Sequence, residues 1–314
     1  MPATLLLVLV PYLTNVPFLD LKTLILALTL VLIHYFSFGH NSLMDYVMGY
    51  DQRDHSKSHF PLNRGVIRLT AAHNVIHWGL SLLTVWSAFL TVWISPNPFM
   101  AITCLLFWVA FGQAYNDGLS KESPLGFLAI SVCSTASGMW GWFLSHVSLD
   151  SLGAIFSGYV FLTILFQISY SGFLKELEVG ERSNILTRMG ARIEVLRYHK
   201  IFRGGRARFY GWFIKVFNLI LGWSLWYLRP SVAGFVTLVI LSTIALIYLH
   251  KLTKPRTYER KKELLAMSIE EICTIYVPLL VLLSPLEALV LASVGIIYFF
   301  GINKWIWGVS HPAV

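Results

Sequence analysis

The chain has 314 residues, of which 56% are hydrophobic and only 13% charged, with a mean hydropathy of +0.65. Soluble domains carry about 25% charged residues, so the composition excludes a water-soluble globular protein and indicates a membrane protein. The net charge of +8 comes with no nucleic-acid motif, and the three cysteines (Cys104, Cys133 and Cys273) show neither zinc-site nor disulfide spacing.

The N-terminal stretch MPATLLLVLVPYLTNVPF has no basic lead and no cleavage pattern. It reads as a first membrane helix rather than a signal peptide. A membrane helix needs about 20 mostly apolar residues. Spans are expected near 3–19, 21–39, 70–95, 98–115, 124–146, 151–173, 208–228, 231–250, 268–284 and 286–303, the last two parted only by Ser284-Pro285. A backbone in hydrocarbon must satisfy its own hydrogen bonds. The expected fold is therefore an all-α integral membrane protein, a single domain over 1–314 with a bundle of nine to ten transmembrane helices. With 11 Trp, 14 Tyr and 21 Phe, aromatic belts at both interfaces are expected.

Polar loops follow the second, fourth, sixth and eighth spans, at 40–68, 116–123, 174–207 and 251–267. Counted through Arg208, they hold 20 of the 24 Lys and Arg residues. This asymmetry places the four loops in the cytoplasm, where most of their basic residues, Arg203, Arg206 and Arg208 among them, meet anionic lipid headgroups. Lys215, within the seventh span, is expected to reach the interface by snorkelling.

The loop after the second span opens NSLMDYVMGYDQRDHSKSHFPL. Asn41 and Asp45 are four apart and share a helix face; Gly49 ends that helix, which lets Asp51 swing back toward them. Asp54 follows. Carboxylates and an amide oxygen are hard ligands suited to Mg2+, which takes only one or two carboxylates and leaves its other positions to phosphate and water. At the end of the fourth span, AYNDGLSK offers Tyr115, Asn116, Asp117 and Lys121. At the end of the sixth, FLKELEVGERSN offers Glu176, Glu178 and Glu181, with Lys175 and Arg182 beside them. Each patch alone is an ordinary helix end. Two acidic clusters on one membrane face, each with basic companions, suit a cation that carries a polyanion such as a diphosphate.

His73 and His77 are four apart on one helix, but without a third ligand they read as polar packing rather than a metal site. Glu270 and Glu271 precede the apolar core of the ninth span; an acid inside a span is a functional candidate by default, but these lie near the boundary, where they read as helix caps.

These motifs resemble the UbiA superfamily of intramembrane prenyltransferases. Asn41-x-x-x-Asp45-x-x-x-Gly49-x-Asp51 is similar to the family's first motif, and its Gly-x-Asp ending is nearest the branch that prenylates naphthoates. Lys57, Pro61-Leu62 and Gly65-Val66-Ile67 resemble the tail of that motif. Lys175-Glu176-Leu177-Glu178 with Gly180-Glu181-Arg182 resembles the second motif, and Tyr115 through Lys121 the Tyr/Lys loop between helices four and five. The sequence departs from the pattern at Ser42 (usually Asp), at Phe60 (usually Arg), and in its use of Glu for Asp in the second motif.

The resemblance implies a central intramembrane chamber, a polyprenyl diphosphate donor and a hydrophobic acceptor, aromatic or lipid. It implies Mg2+ held by Asn41, Asp45, Asp51, Glu176, Glu178 and Glu181, with Lys57, Tyr115, Lys121, Lys175 and Arg182 on the diphosphate. Asp54 or Asp117 would collect the acceptor's proton. A terpene cyclase on the same scaffold is the alternative, since it ionises the same diphosphate. A non-catalytic carrier is a third reading, weakened because the acids lie at one face and no pair of broken helices is evident.

Overall fold

In the computed structural model, residues 2–49, 61–119, 126–172, 174, 177, 185–196 and 200–297 are described. Each of the ten apolar stretches carries a helix: α1 (Pro2–Leu13), α2 (Leu21–Val47), α3 (Leu69–Ile94), α4 (Pro98–Ala114), α5 (Gly126–Phe143), α6 (Ser151–Phe166), α8 (Ala207–Leu228), α9 (Val232–Thr253), α10 (Arg260–Leu282) and α11 (Pro285–Ile297). A short helix α7 (Ile185–Arg188) and strands β1 (Arg192–Val195), β2 (Lys200–Arg203) and β3 (Arg256–Thr257) lie between them. Among the described residues, six helices are long and apolar enough to cross a membrane. The chain is a mainly helical integral membrane protein.

Three boundaries differ from expectation. α1 stops at Leu13, where the Thr14 hydroxyl donates to the Pro11 carbonyl and the Asn15 amide to the Ser145 carbonyl at 2.7 Å. α2 outlasts its apolar window and runs to Val47, through residues 40–47 of the expected loop 40–68. Nothing in HNSLMDYV breaks a helix. The break comes at Gly49, whose φ of +76° lies in the left-handed region that glycine enters without penalty. α10 likewise begins at Arg260, inside the expected loop 251–267, because its charged first turns are helical without being apolar.

The strands were not expected. β1, β2 and β3 form an antiparallel sheet in that order, with Ile193 opposite Phe202 and Phe202 opposite Arg256. β3 is two residues long and follows a 22-residue helix, so its pairing leaves no local alternation to read. On β1, the Arg192 guanidinium, joined by that of Arg203, holds the Glu194 carboxyl below the usual carboxylate range.

The chain divides into two compact units. The first comprises Met1–Gly118, Ala136–Ser148 and Val290–Val314. Its helices are joined by indole and amide donors: Trp86 Nε1 to Thr29 Oγ1 at 3.0 Å, Trp140 Nε1 to Thr91 Oγ1 at 2.9 Å, and Asn97 Nδ2 to the Val147 carbonyl at 2.7 Å. Gly141 lets α5 press against α1, where an added Cβ would overlap the Val8 backbone, 2.8 Å from its Cα. A backbone cannot swing aside as a side chain can. Gly141→Val is therefore expected to cost about 3 kcal/mol, read as a lowered unfolding midpoint in detergent; an unchanged midpoint would refute the close approach.

The second unit comprises Leu119–Thr135 and Leu149–Leu289. Its core joins the end of α6 to the sheet and α9: Phe166, Tyr170, Leu174, Phe202, Leu249 and Leu252 are all fully buried. Asn218 on α8 donates to the Tyr159 carbonyl at 3.0 Å and to Thr163 Oγ1 at 2.9 Å, both on α6. The Tyr159 hydroxyl reaches the Thr274 carbonyl on α10 at 2.7 Å. Three helices are thus cross-linked by side-chain hydrogen bonds inside the unit.

Candidate functional site

The last two turns of α2 carry the first motif. One helical turn apart, Asn41 and Asp45 stand on one face, and Asn41 Nδ2 lies 3.4 Å from Asp45 Oδ2. Asp45 is 5% exposed. An amide that turns its nitrogen toward a carboxylate keeps its oxygen as a ligand, so the pair offers hard oxygen donors of the kind Mg2+ takes. Among the described residues, no three His, Cys, Asp or Glu side chains gather into a metal site. The pair alone fits an ion that needs few carboxylates and completes its shell from phosphate and water.

α4 ends close by in the first unit. Its last turn widens into a π turn, Tyr115–Leu119, which breaks at Gly118 with φ +145°. From the last α-helical turn before it, Gln113 Nε2 donates to Asp117 Oδ2 at 2.8 Å. His40, next to Asn41, meets the turn from α2: its Nδ1 lies 3.2 Å from Asn116 Nδ2 and its Nε2 3.3 Å from Asp117 Oδ1. Two further imidazoles, His77 and His73 on α3, continue the cluster with ring centroids 5.1 Å and 4.2 Å apart in succession. His77 packs against His40 and His73 against His77, in keeping with the polar packing expected of them.

Of the metal, diphosphate and proton-transfer residues expected from the sequence, the structure describes Asn41, Asp45, Tyr115 and Asp117, and it brings the ends of α2 and α4 together through His40. Asp51, Asp54, Lys57, Lys121, Lys175, Glu176, Glu178, Glu181 and Arg182 lie outside the described residues. In the second unit, α6 passes into a π turn, Gln167–Gly172, that leads to the second acidic segment. Leu174 and Leu177 of that segment are buried in the unit's core, at 0% and 9% exposure.

Two readings are corrected. Lys215 does not snorkel and Glu270 does not cap a helix: both are fully buried and paired with each other, Nζ to Oε1. Lys215 also donates to Thr274 Oγ1 at 3.0 Å and sits 4.2 Å from the Phe166 ring centroid. A partner 55 residues away is invisible in local sequence. A signal was nonetheless present, because Gly211, Ile214, Lys215, Asn218 and Gly222 recur at helical spacing and form the buried stripe of α8. His40 also escaped notice, as a lone histidine beside a richer motif.

Known structures share this architecture. A structure of digeranylgeranylglyceryl phosphate synthase aligns over 88% of this chain and 92% of its own, with 14% identity and a TM-score of 0.59. A UbiA homologue from Archaeoglobus fulgidus bound to GPP and Mg2+ aligns over 90% of this chain and 96% of its own, with 14% identity and a TM-score of 0.56. The chain has the UbiA fold. The same homologue bound to DMAPP and Mg2+ aligns over 88% of this chain and 96% of its own, at 14% identity and a TM-score of 0.55. No protein-family model and no curated protein sequence matches the chain. Among these comparisons the UbiA likeness rests on backbone geometry.

Proposed function

We propose that this chain is a Mg2+-dependent intramembrane prenyltransferase that moves a prenyl group from a polyprenyl diphosphate to a hydrophobic acceptor. The observation that carries the reading is the Asn41–Asp45 pair at the end of α2, in a chain whose UbiA fold extends over 90% of its length. The Archaeoglobus fulgidus homologue binds GPP with Mg2+, the combination that hard oxygen donors beside basic groups suit.

In this reading Mg2+ at the cytoplasmic face draws its few protein ligands from Asn41, Asp45 and Asp51 on one side and from Glu176, Glu178 and Glu181 on the other, and leaves its remaining positions to diphosphate and water. The bound ion would offset the charge that builds on the departing diphosphate. Lys57, Tyr115, Lys121, Lys175 and Arg182 donate to diphosphate oxygens. The apolar spans house the prenyl tail and keep water from the allylic cation, and Asp54 or Asp117 takes the proton lost by the acceptor. The Gly49-x-Asp51 ending favours an aromatic quinone precursor of the naphthoate kind, and the likeness to digeranylgeranylglyceryl phosphate synthase keeps a lipid acceptor in the same assay.

The test is incubation of purified protein with geranyl diphosphate, with and without Mg2+, first alone and then with a dihydroxynaphthoate or a glycerophosphate lipid. Diphosphate release that requires Mg2+, together with a prenylated acceptor, is the expected result. Cyclic hydrocarbon formed without acceptor would assign the chain to the terpene cyclases. Absence of Mg2+-dependent release in every arm rejects the reading.

A further inference from the structure

The geometry points to His40 as a positioning residue that pins the π turn at the end of α4 to the end of α2, and so sets the spacing between two parts of the headgroup site. The functional half of this inference rests on the prenyltransferase reading; the structural half does not.

His40 is 1% exposed and reaches two successive residues of the turn. The Asn116 amide nitrogen can only donate, so at 3.2 Å from Nδ1 it requires an unprotonated Nδ1 and puts the imidazole proton on Nε2. Nε2 in turn approaches Asp117 Oδ1 at 3.3 Å, out of line for a hydrogen bond. The Asp117 carboxylate, 44% exposed, is the acceptor that faces this buried N–H, and alignment with it would spare the desolvation cost of an unmade hydrogen bond. Gln113 Nε2 steadies the other carboxylate oxygen at 2.8 Å. His77 fixes the imidazole from α3, its ring edge-on to His40 with centroids 5.1 Å apart.

The placement gives these contacts their consequence. His40 directly precedes Asn41, the first of the paired oxygen donors, and Asn116 directly follows Tyr115, the candidate diphosphate donor on the turn. One buried side chain therefore bridges the backbones that carry both. Without it, each segment keeps its own helix but loses its fixed distance from the other. A headgroup held at several points then binds more weakly, because ordering the segments must be completed on binding.

Two measurements on the full chain test this. The first needs no ligand: hydrogen–deuterium exchange of the peptide covering Tyr115–Leu119. His40→Ala is expected to speed exchange there about tenfold, the loss of one net hydrogen bond. His40→Asn, whose side-chain oxygen can accept from Asn116, is expected to restore most of the protection. The second is kinetic: with geranyl diphosphate and Mg2+, His40→Ala should raise the donor KM about tenfold while kcat for diphosphate release stays within about threefold, again with recovery in His40→Asn. Unchanged exchange in His40→Ala overturns the proposal. So does an increase that His40→Asn fails to reverse, which marks a packing defect instead of a lost contact. A wild-type protein that releases no diphosphate would sink the enzyme reading and leave the exchange result to decide the joint.

Discussion

Asp45→Ala is expected to reduce diphosphate release from geranyl diphosphate about a thousandfold while leaving the protein folded. Asp45 is a carboxylate at 5% exposure beside the Asn41 amide. In the proposed site it is a carboxylate on an ion that takes only one or two. Removing it weakens charge stabilisation at the leaving group by roughly 4 kcal/mol, and each 1.36 kcal/mol is tenfold in rate. The fold should survive, because Asp45 lies near the end of α2, past the buried apolar positions Leu26, Leu30 and Ile33 that seat the helix. The checks are malachite-green detection of phosphate after pyrophosphatase treatment, and the unfolding midpoint in detergent. Wild-type release by Asp45→Ala removes this residue from the site. A collapsed midpoint would make Asp45 structural. Glu178→Ala is expected to lower release as well; full activity there would reduce the second acidic segment to a helix end.

What the sequence discloses here follows the range of each interaction. Apolar runs longer than a turn are local, so nearly every helix was legible, and Asn41 and Asp45 were placed on one face by spacing alone. Helix ends were misplaced where helicity and hydropathy part company, as at residues 40–47 and 260–267. Both segments are charged or polar, and both lack a breaker. The sheet was hidden because Phe202 finds its neighbours on β3 and α9, and two-residue β3 has no pattern of its own. His40 was hidden for the same reason: its significance lies in Asn116 and Asp117, 76 and 77 positions further along the chain. The two π turns at the ends of α4 and α6 fall next to segments that the sequence marks as functional. This fits the frequent occurrence of π turns at such sites, yet no residue type announces them.

Lys215→Met is expected to destabilise the protein by about 3–5 kcal/mol, because it strands the fully buried Glu270 carboxylate in the interior of the second unit. Glu270→Leu should cost less. The ammonium it leaves behind keeps the Thr274 hydroxyl at 3.0 Å and the Phe166 ring at 4.2 Å, and a desolvated cation over an aromatic face retains about 2 kcal/mol. The stranded carboxylate keeps only the Thr274 hydroxyl, also at 3.0 Å, with its Oε2 lacking any hydrogen-bond partner. The double variant Lys215→Met/Glu270→Leu should be more stable than Lys215→Met alone, because no buried charge remains and the replacements are of similar volume. Unfolding midpoints of the four proteins in one detergent form the double-mutant cycle. A double variant whose loss equals the sum of the single losses would mean that the two charges act independently. Phe166 is the last residue of α6 before its π turn. Lys215→Met removes the contact to this ring and Glu270→Leu keeps it, so in the proposed enzyme Lys215→Met should lower diphosphate release beyond what its residual folded fraction explains and Glu270→Leu should not.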